Sequence, residues 1–177
     1  PALQTALAAL PVTVEIVGGD AFVQVTATQG TEVLVPGYDG EPYLRIDDRG
    51  VVYRNRRSSA TYINQDRYGT AAELPGSVDS SAAPDWERIG DGGQVAWHDH
   101  RIHWMLDNAP ETSDGVVQPW TLPLTVDGTE VEVSGRLLLR ADQFPWPALI
   151  GVAVAGLAAW RSRRELTRSL LLAGAAT

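Results

Sequence analysis

TLPLTVDGTEVEVSGRLLL, residues 121 to 139, decides the fold class. Leu122, Leu124 and Val126 alternate with Thr121, Pro123 and Thr125. Asp127-Gly128 follow as a two-residue turn, after which Val131 and Val133 alternate with Glu130 and Glu132. A period of two gives one apolar face and one wet face, as half-buried antiparallel strands require. Asp-Gly suits a hairpin turn whose central residues take positive φ. The stretch therefore predicts a hairpin between 120–126 and 129–139, with Pro123 at an edge because its nitrogen cannot donate to a ladder.

Upstream, VTVEIV, AFVQVTAT and TEVLVP are short runs rich in β-branched residues, punctuated by GGD and QG. YLRI and VVYRNR follow, joined by DDRG, a hairpin turn with Gly50 where positive φ is needed. Strands at this spacing predict a mainly β chain: an antiparallel β-sandwich, immunoglobulin-like or cupredoxin-like. Residues 1–11 read as a leader or short helix, and 12–142 as the β domain. The segment from Ser58 to Pro84 has little apolar periodicity and reads as a surface loop.

Beyond the hairpin the composition changes. Phe144 to Trp160 is free of charge for 17 residues, about 25 Å as a helix, at the lower limit for spanning a bilayer. Trp146 and Trp160 bracket it at the headgroup depth that indole rings favour, and Arg161, Arg163, Arg164 and Arg168 follow. Residues 144–160 thus read as a C-terminal transmembrane helix. By the positive-inside rule, 161–177 is a cytoplasmic basic segment and the β domain is extracytoplasmic at the cell membrane. The final SLLLAGAAT is too short to span and reads as the start of a second span.

Charge agrees with this division. Residues 1–143 carry 21 acidic and 10 basic side chains, a net of −11, and the whole chain stands at −8. Such a body repels phosphate backbones, which argues against nucleic acid as a partner and leaves the membrane or an envelope protein. There is no cysteine, so disulfides, thiolate metal sites and a Cys nucleophile are excluded. All 14 basic residues are arginine, a mark of a compositionally biased genome. The chain starts at Pro1, which reads as a processed form.

Every histidine of the chain lies in AWHDHRIHWM, residues 96 to 105. On an extended strand His98 and His100 would share a face, roughly 6–7 Å apart at Cβ, a spacing that suits two imidazoles on one ion. His103 would fall on the opposite face unless a turn intervenes. Neutral imidazole favours copper or zinc, and Met105 offers a soft ligand for Cu(I). Asp99 is a further candidate ligand. Two other readings stand beside this one. Asp99 and Arg101 can pair with each other, or His98, His100 and His103 can be hydrogen-bonded rim residues between core-forming Trp97 and Trp104.

A second cluster, YRNRRSSATYINQDRYG, sets Arg54, Arg56 and Arg57 among Tyr53, Tyr62 and Tyr68. Guanidinium forks bind carboxylates and phosphates, so an anionic headgroup, wall polymer or acidic partner could dock here. Alternatively these arginines balance acids such as Asp47, Asp48 and Asp66. Gly37 and Gly40 flank Tyr38 in a shaped turn that presents Tyr38 or Tyr43.

VPGYDGEPYLRI, NRRSSATYINQDRYG and AWHDHRIHWM, followed by W-x-L-P-L-x-VDGT and an anchor, resemble uncharacterised membrane-anchored extracytoplasmic proteins of actinobacteria. That resemblance covers most of 12–160 and implies location but no activity. More loosely, the chain is similar to small periplasmic copper-carrier sandwiches, although it lacks their N-terminal histidine ligand. No nucleophile elbow or HExxH is present, so the chain does not read as an enzyme. Two functions result. One is a membrane-anchored module that binds copper or zinc for storage or delivery. The other is a metal-free module that docks partners through its Tyr- and Arg-rich loops.

Overall fold

The computed structural model describes residues 10–68, 73–106, 108, 110–139, 155 and 161. Among the described residues the strands and a short helix follow in order: β1 Val12–Val17, β2 Phe22–Ala27, β3 Val33–Pro36, β4 Pro42–Ile46, β5 Val52–Asn55, α1 Ala60–Ile63, β6 Trp86–Gly90, β7 Gln94–Trp97, β8 Val116–Val126 and β9 Thr129–Leu138. They form two antiparallel sheets, β1-β2-β7 and β6-β5-β4-β3-β8-β9. The arrangement is sandwich-like, as the strand pattern predicts.

The β8–β9 hairpin forms in the expected register, with Val126 opposite Thr129, Leu124 opposite Val131 and Leu122 opposite Val133. Asp127 (φ 47°) and Gly128 (φ 76°) make the turn. Asp127 tolerates this left-handed geometry because its carboxylate accepts from the Glu32 amide at 2.8 Å, while its own amide donates to the Glu32 carbonyl at 2.9 Å. These two bonds tie the hairpin to the start of β3.

β8 lies inside its sheet, yet it pairs with β3 only at Val33–Val126 and Leu34–Thr125. Asp127 turns its amide toward β3, so by alternation Pro123 faces that same side, beyond the last paired residue. Pro123 therefore occupies a local edge within an interior strand, and no ladder bond is lost.

The core follows from period-two burial. Val23 and Val25 of β2, Val33 and Val35 of β3, Leu44 and Ile46 of β4, and Leu122, Leu124 and Val126 of β8 are all nearly inaccessible. They belong to one cluster that draws on both sheets. Each such side chain contributes roughly 1.5–3 kcal/mol relative to exposure. Gly93 stitches the sheets together on the main chain. Its carbonyl accepts from Ala27 at 2.8 Å, and its amide donates to Gly50, in the turn between β4 and β5, at 2.9 Å. Only glycine suits this place, since φ is 70° and a Cβ would stand 2.8 Å from the Ala27 carbonyl.

The segment from Ser58 departs from expectation. Ser58, Ser59, Ala60 and Thr61 are buried rather than on the surface. Asn55 holds them there: its carbonyl accepts from Thr61 Oγ1 at 2.5 Å, and its side chain accepts from the amides of Arg57 and Asp85, both at 2.9 Å. Local side-chain bonds of this kind leave no hydrophobic period in the sequence.

Most of the leader (1–11) lies outside the described residues, as do Trp146, Trp160, Arg163 and Arg164. Within the expected anchor and its basic flank, only positions 155 and 161 are described, and both are helical. Among the described residues no helix is long and apolar enough to cross a membrane.

Candidate metal centre

β7 ends at Trp97, and the reason lies in Asp99. The Asp99 carboxylate accepts from the Arg101 amide at 3.0 Å, and the Asp99 carbonyl accepts from the Ile102 amide at 3.2 Å. An aspartate bonded two residues ahead starts a turn, and this one bends the chain out of the strand direction. Ile102, 1% exposed, anchors the turn in the core. His103 is thereby carried back against His98.

The simple alternation of faces consequently does not apply to His98, His100 and His103, which sit on a turn and converge. Ring centroids lie 4.2 Å apart for His98–His103, and 5.4 Å for both His98–His100 and His100–His103. One candidate donor atom from each of the three falls within 4.8 Å of the others. Four ligands on a tetrahedral zinc at ~2.0–2.1 Å stand roughly 3.3 Å from one another, so the widest pair must close by about 1.5 Å.

Two rings are already oriented by main-chain carbonyls. His98 Nδ1 faces the Ala21 carbonyl at 2.5 Å, and His100 Nε2 faces the Asp66 carbonyl at 2.9 Å. A carbonyl only accepts, so each of these nitrogens carries the proton and the other ring nitrogen keeps its lone pair. Such outer contacts fix tautomer and direction in metal-binding histidines. His103 is fully buried and its Nδ1 finds no hydrogen-bond partner. Burial, then the charges of His98 and Arg67, push its pKa down to about 4, so at neutral pH it is the neutral base that a metal requires.

Access differs from expectation. His98 is 9% exposed and only His100 is half-buried, so the cluster opens to solvent on the His100 side. Tyr38 borders that side. Its ring stacks on His100 at 6.0 Å, its oxygen accepts from the His100 amide at 3.0 Å, and its hydroxyl donates to Asn64. The Arg101 guanidinium lies 5.3 Å from the Tyr38 ring centre. Tyr38 is therefore turned toward the histidines, while Tyr43 is buried against Trp97. Burial, together with the Asp99 charge, raises the pKa of Tyr38 and keeps it a neutral phenol.

Asp99 is not available as a ligand. It is fully buried and grips Arg101 at 2.8 Å (Nε to Oδ1) and 2.6 Å (Nη2 to Oδ2), with Trp97 Nε1 donating at 2.8 Å. Burial alone would raise its pKa, but the Arg101 hydrogen bonds and charge outweigh this and hold it below the usual carboxylate range. Met105 is half-buried two residues past His103. Trp97 belongs to the core, and Trp104 donates to the Asn108 carbonyl at 2.7 Å.

Two arginines of the second cluster pair with neighbours other than those anticipated. Arg54 pairs with Glu87 at 2.9 Å across the β5–β6 pair, and just beyond its end Arg56 holds Asp85 through Nε at 3.1 Å and Nη2 at 3.0 Å. Tyr62 donates to the Arg56 carbonyl at 3.0 Å. Arg57 is half-buried. The carbonyls of Ala21, Asp66 and Arg67 left no trace in the sequence, because a main-chain oxygen is the same at every position.

No protein-family model, curated protein or solved structure matches the chain.

Proposed function

We propose that this chain is a metal-binding β module in which His98, His100 and His103 hold one copper or zinc ion for storage or delivery. The observation that carries the proposal is the convergence of three imidazoles, two of them already oriented by carbonyls. A purely structural histidine cluster has no need to bring three basic nitrogens together and leave His103 Nδ1 without a partner. The fold reading proposed with it is a cupredoxin-like or immunoglobulin-like sandwich, and residues 144–160 would tether it outside the membrane. Docking through Arg54 and Arg56 is the weaker reading, since both are engaged by acids.

Elemental analysis of the chain, purified without a polyhistidine tag and dialysed against substoichiometric chelator, tests the proposal. One equivalent of copper or zinc per chain is expected. Less than a tenth of an equivalent, after exposure to both ions, would remove it.

A further inference from the structure

His98 is flanked by carbonyl oxygens on both ring nitrogens. Ala21 faces Nδ1 at 2.5 Å and Arg67 faces Nε2 at 3.1 Å, while His103 Nε2 also lies 2.9 Å from His98 Nε2. A neutral imidazole has one N–H, and the shorter contact assigns it to Nδ1. Nε2 then points a lone pair at the lone pairs of the Arg67 carbonyl. That lone pair can take a proton from His103 Nε2 at 2.9 Å, but the Arg67 oxygen at 3.1 Å offers it nothing, and a cation beside both atoms would turn their repulsion into shared coordination.

The separations around His98 Nε2 are those of neighbouring ligands. The values 2.9 Å and 3.1 Å fall a few tenths short of the roughly 3.3 Å edge of a tetrahedral zinc shell. Asp66 and Arg67 divide the work between consecutive peptide units. The Asp66 carbonyl takes the His100 Nε2 proton and frees Nδ1, and the Arg67 carbonyl stands at the cluster itself. One turn, between β1 and β2, holds both sides of His98. Ala21 supplies the Nδ1 acceptor, and Asp20 pairs with the Arg67 guanidinium at 3.2 Å, on the residue that carries the second carbonyl.

We infer that the Arg67 main-chain oxygen is the fourth ligand, so that the site is a three-nitrogen, one-oxygen shell selective for divalent zinc or cupric ion over cuprous copper. The inference rests on the three-histidine reading above. Carbonyl oxygen is a hard donor that suits divalent ions, whereas cuprous copper prefers thiolate and thioether sulfur. The chain has no cysteine and a single methionine.

The crystal structure of the zinc-loaded chain decides it. The expected result is zinc bonded to all three histidines with the Arg67 oxygen within about 2.3 Å. If zinc sits on the three histidines with a water in fourth place and the Arg67 oxygen beyond 3 Å, the inference falls and the three-histidine site stands. If saturating zinc leaves the histidines in their metal-free arrangement, both fall, and the three rings are a hydrogen-bonded cluster.

Discussion

His98 Nε2 stands 2.9 Å from His103 Nε2, and among the described residues no other hydrogen bond is made by the His103 ring. Ala21 fixes the first, and burial behind the Asp99 turn fixes the second. Two basic nitrogens at that distance share a proton or share an ion. Replacing His103 by Ala removes a buried ligand, and zinc affinity should fall by roughly 100-fold or more, beyond the 10–100-fold typical of losing an outer contact. His100→Ala, at the open side, should weaken binding less. Competition with a chelator of known affinity measures both, and equal, small effects would contradict the assignment.

The Arg67–Asp20 pair is partly exposed, so its own contribution to folding is small. Asp20→Ala should leave the unfolding midpoint nearly unchanged and weaken zinc binding by about 2–5-fold, through the loosened Arg67 peptide. An unchanged zinc affinity would sever the link between that pair and the site.

Metal-free stability should depend on pH through His103. Its folded pKa of about 4 lies below the value near 6.5 of an unfolded histidine, because burial disfavours the charged ring. Between those values the unfolded chain binds more protons, so this stability is complete above about pH 6.5 and is lost as pH falls toward 4. The loss approaches roughly 3 kcal/mol. Urea unfolding at pH 7 and pH 4.5, with chelator present, measures it. His103→Gln serves as the reference for the carboxylates that titrate in the same range, and the same slope in both proteins would rule His103 out.

Asp99 and Arg101 form a buried charge pair, and removing either partner strands the other. Asp99→Ala should destabilise by about 3–5 kcal/mol. The double change Asp99→Ala with Arg101→Ala should cost less than the sum of the two single changes. Additive costs in chemical denaturation would mean that the pair is not coupled.

The hairpin was legible in the sequence because Leu122, Leu124 and Val126 obey a strict period of two and Asp127-Gly128 is a turn of known geometry. The strands from Val12 to Asn55 were legible as runs rich in β-branched residues between turn-forming stretches. The histidines were legible as candidates but not as a geometry. Strand alternation placed His103 on the wrong side, because the Asp99 turn ends β7 two residues earlier. Asp99 looked like a ligand until Arg101 and Trp97 were seen to occupy it. Tyr38 was visible as a presented side chain, but its place against His100 depends on a contact 62 residues away in sequence.

Calorimetric titration of the tag-free chain at neutral pH with zinc, and separately with cupric ion, distinguishes a metal site from a hydrogen-bonded histidine cluster. One saturable site per chain is expected, and it disappears in His98→Ala with His103→Ala, while the circular dichroism of the β fold is retained. A chain that shows no saturable binding of either ion, or that binds them equally well without the two histidines, contradicts the metal site.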